Sequence, residues 1–336
     1  MQVEAHSEAA CFEALKGEWQ RLVPMSQADL IFSTWEWHTH WWQAYHPGAL
    51  WLLLVRSDEG ELCGVMSMFI EQQAGRGRVA RIVGSDDVTD YLDIIARRDC
   101  VDEVYQALAA FLATSDAFDV LDLSNVREES HTRTSFVGQL QSAGFDVTVT
   151  QQEVCPLFDV PATFEAYLDL LENKQRSELR RKLRRAEAAD GLGWYIVGAQ
   201  HDLSAELDKF LRLMAASHPE KAAFLQNPQH VAFFRSFMPV AMEKGWLQLA
   251  FQTYDDEPIA AYLNFDYDDH ILVYNSGLRP DRYGALSPGI VLLAHLIEWA
   301  IEHRKRTFNF LRGNETYKYQ MGGRDTVVYR VEAIRS

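Results

Sequence analysis

The segment from Leu247 to Ser276 constrains the fold of this chain more than any other. It holds three apolar runs, Leu247 to Tyr254, Ile259 to Tyr267 and His270 to Ser276, separated by Asp255-Asp256-Glu257-Pro258 and by Asp268-Asp269. Short runs rich in β-branched and aromatic residues, broken by turn formers, read as an antiparallel meander. A Ser287-Pro288-Gly289 turn then opens an apolar stretch at helical spacing, and a short strand, Thr307 to Leu311, follows it. Strands and helices alternate in this way through both halves, so the expected class is α/β (α+β), with mixed, mostly antiparallel sheets flanked by helices.

Upstream of the meander the pattern predicts one long helix from Phe164 to Ala189, a strand from Trp194 to Val197, and helices over Leu203 to Ala216 and Gln229 to Glu243. Downstream, Thr307 to Leu311 is expected to pair with a last strand, Thr326 to Ile334. The first half reads as an abbreviated version of the same plan. It has a helix over Phe12 to Leu22, an aromatic-rich helix within Phe32 to Tyr45 capped by Ser33 or Thr34, and a helix over Asp102 to Thr114. Its strands are expected at Leu50 to Arg56, Glu61 to Gln72, Val79 to Val83, Tyr91 to Ala96 and Val120 to Leu123. Two domains follow, 1–155 and 156–336, with no repeat at the level of residues.

Composition excludes several classes of function. With 32 basic and 48 acidic residues among 336, broad DNA binding is not expected. Cys11, Cys63, Cys100 and Cys155 are scattered without metal or redox spacing, and His38 and His40 lack a third ligand, so neither disulfides nor a metal site is expected. The N-terminus has no basic segment followed by an apolar core. Gly289 to Ile301 contains His295 and Glu298 and falls short of a membrane span. These features together predict a cytoplasmic protein.

Three features carry chemistry. The Ser-Pro-Gly helix start offers backbone N–H groups and positive dipole to a phosphate, with the Ser287 hydroxyl, Arg282 and the Gly289 and Ile290 amides at hand. Just after the Thr307 strand comes a polar cluster, Arg312, Gly313, Asn314, Glu315, Tyr317 and Lys318. Finally, Leu171 to Glu187 packs seven cations into a few helical turns, and Ser177, Arg181 and Arg184 share one face. Such density repels unless acids or an anionic partner neutralise it.

Tyr274-Asn275-Ser276-Gly277, Ser287-Pro288-Gly289 and Gly313-Asn314-Glu315-Thr316-Tyr317-Lys318, in that order, resemble the FemAB-related, CelD-like acetyltransferase group of the GNAT superfamily. Trp35-Glu36-Trp37, Trp41-Trp42 and Thr89-Asp90-Tyr91-Leu92-Asp93 resemble the group's degenerate first unit. The resemblance implies a tandem GNAT-like fold, with a reduced first unit and an active second one. It also implies an N-acyltransferase that moves an acyl group from acyl-CoA to an amine of a small molecule or a glycan or cell-envelope precursor. Direct aminolysis of a thioester needs a base, an oxyanion donor and an acid for the thiolate, and no metal. Glu315 is the expected base and Tyr274 or Tyr317 the acid. Arg282, Ser287, Gly289, Ile290 and Lys318 would hold the donor, and Arg181, Arg184, Arg312 and His218 the acceptor. Two departures stand out: Asn309 replaces an Asp common among relatives, and the glycine-rich loop of ordinary GNAT enzymes is absent. The alternatives are a FemAB-like aminoacyltransferase that uses charged tRNA, and a catalytically silent scaffold.

Overall fold

A computed structural model describes residues 1–84, 88–279 and 283–335. The chain divides into two compact units, 1–153 with 327–336, and 154–326.

The first unit runs β1 (Gln2–His6), α1 (Ala10–Met25), α2 (Trp35–Tyr45), β2 (Ala49–Arg56), β3 (Leu62–Gln73), β4 (Gly77–Ile82), β5 (Ile95–Ala96), α3 (Val101–Thr114) and β6 (Val120–Arg127). A π-helical turn, Thr132–Phe136, leads into α4 (Val137–Ser142), and β7 (Phe145–Val154) follows. The sheet order is β1-β2-β3-β4-β6-β14-β7, with β5 on β3; β14 (Val327–Arg335) is the C-terminal strand. The α2 helix starts where its sequence says it should, because Thr34 Oγ1 accepts from Trp37 N at 3.2 Å.

The second unit runs β8 (Leu157–Asp159), α5 (Phe164–Leu170), α6 (Asn173–Glu187), β9 (Leu192–Ile196), α7 (Leu203–Ser217), α8 (Pro219–Phe224) and α9 (Pro228–Glu243). Then come the meander β10 (Leu247–Tyr254), β11 (Glu257–Tyr267) and β12 (His270–Leu278), and after it α10 (Pro288–Glu302), β13 (Thr307–Asn309) and α11 (Thr316–Gln320). The order β8-β13-β12-β11-β10-β9 makes a sheet that is antiparallel except for the β12/β13 pair. One face buries Tyr262, Ile271 and Val273 against Leu292, Leu293, Leu296 and Ile297 of α10. On the other, α7 rests so closely on β12 that a Cβ on Gly277 would stand 2.4 Å from Met214 N and 2.5 Å from Leu213 C. The fold is thus the tandem GNAT-like α/β arrangement that the sequence predicts.

Three expectations are corrected. The long Phe164 helix is two helices, because Leu171 and Glu172 are extended, with ψ of 146° and 148°. Of Tyr91 to Ala96, only Ile95–Ala96 is strand. The last strand does not pair with Thr307–Asn309: β8 occupies that edge, and β14 lies against β6, where Val328, Val331 and Ala333 are fully buried. Counted with the turn before it, Gly284–Glu302 is long and apolar enough to cross a membrane, whereas in the fold it is the core helix of this unit.

Candidate acyl-transfer site

The site forms where two neighbouring strands part. The β12/β13 ladder ends at Leu272 opposite Asn309, while β12 continues to Leu278 on β11 alone. The parting begins with Asn309, whose Oδ1 accepts from Leu311 N at 2.8 Å and turns the chain through a left-handed Leu311 (φ 58°). Phe310 and Gly313 then donate to Pro156 O and Val154 O, which draws this segment away from β12. In β12 the register shifts between Leu263 opposite Asn275 and Asn264 opposite Val273, so Tyr274 is the extra residue of a β-bulge. A bulge takes one residue's main chain off the ladder and re-aims its neighbours. Bulge and parting coincide, and the edge of β12 from Val273 onward faces the gap.

The floor of the gap is the polar cluster. Lys318, fully buried, donates to Leu311 O at 3.2 Å, Arg312 O at 2.6 Å and Gly313 O at 3.2 Å, and pairs with Glu315 at 2.9 Å. Its ammonium therefore ties the loop together from inside. Gly313, at φ +115°, is where this requires glycine: a Cβ would lie 2.4 Å from Glu315 Oε2 and 3.1 Å from Lys318 Nζ.

One wall is the start of α10. Ser287 precedes it in the left-handed region (φ 52°, ψ 49°), and its side chain does not cap the helix. Pro288 has no N–H, and Ile290 and Val291 both donate to Ser287 O, so Gly289 carries the outward-facing donor of this helix end. A Cβ at Gly289 would meet only Leu278 at 3.7 Å and Tyr262 OH at 3.9 Å, both ordinary contacts. Beside this helix start lies a cavity of about 250 Å3 lined by Lys174, Lys182, Ile290 and Met321, among others.

Two residues that the sequence did not single out complete the site. Tyr262 of β11 is buried, and desolvation, then the charge of Glu315, pushes its hydroxyl upward. Tyr317 is raised for the same first reason, with Tyr262 and Glu315 adding to it, so both hydroxyls stay protonated. Lys221 of α8 reaches over to β12, donating to Ser276 O at 2.6 Å and Ser276 Oγ at 3.2 Å. Burial lowers its pKa from the ordinary 10.5 to about 8, with Lys318 adding to the fall and Glu315 opposing it. A Tyr within an apolar strand and a Lys on a short helix carry no signal in one sequence; only the fold brings them to Glu315.

The other expected residues lie as follows. The Tyr274 ring packs against Phe265 and Phe234, centroids 4.9 and 6.0 Å away, on the face opposite α10. His218 is exposed and caps α8, accepting from Glu220 N at 3.3 Å, so it supports the helix that carries Lys221. Arg312 contributes its carbonyl to Lys318. The α6 cations have neutralising acids on α5 and α6: Arg181 pairs with Glu178, Arg180 with Glu165 and Arg176 with Asp169. Arg184 Nε donates to Arg180 O at 3.3 Å, and Arg185 donates to Ala285 O, in the turn before α10. Arg282 lies outside the described residues. Among those described, no group of three or more His, Cys, Asp and Glu side chains could hold a metal ion.

The first unit has the same parallel pair, β4 with β6, but its gap is filled. The ladder covers Val79 to Arg81, and beyond it the buried segment Val88 to Ile94 lies against β6. Leu92 N donates to Asn125 O at 3.0 Å, Asn125 Nδ2 to Thr89 O at 2.9 Å, and Trp37 Nε1 to Thr89 Oγ1 at 3.0 Å.

The bulge, the α10 N-terminus and the parting of β12 from β13 all lie within the residues that match a family model. Residues 173–319 fit the model of the acetyltransferase (GNAT) domain. They form a GNAT-type acetyltransferase domain. No curated protein sequence matches the chain. Among solved structures it is similar to FemX (11% identity, TM-score 0.64, covering 98% of this chain and 97% of that one). It is also similar to the C-terminal domain of a putative lysylphosphatidylglycerol synthetase from Agrobacterium fabrum (12%, 0.55, 97% and 92%). A third likeness is to a tandem GNAT protein from the clavulanic acid biosynthesis pathway (14%, 0.51, 98% of each chain). At these identities the likeness is one of fold. Within the GNAT domain, Gly289, Glu315, Tyr317 and Lys318 come together with Tyr262, Ser276 and Lys221, whereas Arg181 and His218 remain on exposed surface.

Proposed function

We propose that the GNAT domain transfers an acyl group from acyl-CoA to an amine of a small molecule or a glycan precursor, by direct aminolysis of the thioester. The observation that carries this is the α10 N-terminus opening onto a cavity with two lysines. Gly289 N–H and the helix dipole suit a pyrophosphate, and Lys174 and Lys182 supply positive charge beside it. From there the acyl chain would run into the gap beside the bulge at Tyr274. Tyr262 and Tyr317, protonated at neutral pH, suit the leaving thiolate as hydrogen-bond donors.

The test is thiol release from acetyl-, octanoyl- and palmitoyl-CoA in the presence of glucosamine, lysine or spermidine. Amine-dependent release with at least one donor is expected, and Tyr262→Phe should lower it about 10- to 100-fold through loss of a proton donor. Absence of release with every pair, together with transfer from charged tRNA, would replace acyl-CoA with an aminoacyl donor. Absence of both would leave the scaffold.

A further inference from the structure

We propose that Lys221 is the proton acceptor of the acyl transfer: its Nζ, turned onto Ser276 at the open edge of β12, takes the proton that the attacking amine sheds. The inference rests on the acyl-transfer reading and names the base within it. Glu315, the carboxylate expected in that role, has Oε2 held by Lys318 at 2.9 Å, and the resulting pair is nearly neutral in charge.

Lys221 differs in three ways. It is held by two bonds, to Ser276 O and Ser276 Oγ, which match the two N–H groups of a neutral amine and leave the lone pair unengaged by them. Its partner Ser276 sits two residues past the bulge, on the strand edge that β13 has left. Its surroundings disfavour charge: burial acts first and outweighs the charge of Glu315, which opposes it, while Lys318 from α11 adds to the fall. His218 and Glu220, the titratable groups beside it on its own helix, are exposed and pair with each other at 3.7 Å.

As the amine nitrogen bonds to the thioester carbon, Lys221 accepts one proton from that nitrogen and becomes an ammonium. The C–S bond then breaks, the thiolate leaves with the electron pair and takes a proton from a site hydroxyl or water, and Lys221 returns its own proton to solvent.

The experiment is competitive labelling of the intact protein with isotopic acetic anhydride across pH, read by peptide mass spectrometry, with and without CoA. Lys221 should titrate near pH 8, below the ordinary lysine value of 10.5. CoA at about ten times its Kd should slow labelling about tenfold. Lys221→Arg, which cannot deprotonate, should keep CoA affinity within about threefold and lose at least ~100-fold in thiol release. A midpoint in the ordinary lysine range, or full activity in Lys221→Arg, overturns the proposal. If CoA binds by calorimetry but leaves Lys221 labelling unchanged, the inference falls and the acyltransferase reading stands. If CoA does not bind, that reading falls first and takes the inference with it.

Discussion

Single residues here are fixed by close approach and by buried charge. Gly277 lets α7 lie on β12, and a Cβ there would meet main-chain atoms that cannot rotate away. Gly277→Ala should therefore cost about 1–3 kcal/mol in chemical denaturation, while Gly289→Ala, which meets only ordinary contacts, should not destabilise. Equal effects of the two would contradict the packing described. Asp122 of β6 is fully buried and pairs with Arg330 of β14 and, at 3.0 Å, with Arg76. Burial alone would raise its pKa, but the bond and charge of Arg330, the bond of Arg76 and the charge of Arg81 outweigh this and hold it below 3.8. A carboxylate depressed in the fold contributes stability that is fully present above its unfolded value and lost as pH falls through the folded one. Asp122→Asn should cost about 2 kcal/mol at neutral pH. Its denaturation midpoint should fall less steeply than that of the wild type below about pH 4; parallel curves would contradict the assignment.

Elements were legible where local pattern and tertiary need agree. The meander, α10 and the Thr34 cap of α2 follow from turn residues, periodicity and side-chain capping, and the structure keeps them within a few residues. Elements with weak local patterns were not legible. α8 and α11 are six and five residues long, too short for a helical period to show. The break at Leu171-Glu172 has neither Pro nor Gly to mark it, and is enforced by Leu171 and Leu179 both turning into the core. The site follows the same rule. Ser276, Ser287, Gly289, Glu315, Tyr317 and Lys318 lie in motifs, whereas Lys221 and Tyr262 meet them only through the fold. At this scale the strand parting itself is testable: Asn309→Ala removes the acceptor for Leu311 N and should loosen the 309–313 turn. Faster amide exchange at Leu311, with β10–β12 unchanged, is the expected result; unaltered exchange would show that the turn does not need Asn309.

At the scale of the molecule, the chain returns to its first unit to finish. β14 sits between β6 and β7, and Val328, Val331 and Ala333 are buried there, so the first sheet is incomplete without the last residues. No local pattern reveals this, because an amphipathic strand does not encode which sheet it will join. Truncation after Thr326 should expose the first unit to limited proteolysis while 154–326 stays resistant; cleavage starting in the second unit would contradict this division. The two units also differ in their parted strands: in the first, Val88 to Ile94 fills the gap, and in the second it is lined by Gly289, Tyr262 and Lys221. The proposed acyl transfer depends on the N-terminus of α10 holding the phosphates of an acyl-CoA donor. The most direct test is calorimetric titration of the wild type and Gly289→Asp with CoA and acyl-CoA. Saturable wild-type binding is expected, weakened at least ~100-fold by a carboxylate beside the phosphates, with the circular dichroism spectrum unchanged. Equal affinity in the two proteins, or no binding in the wild type, would contradict it.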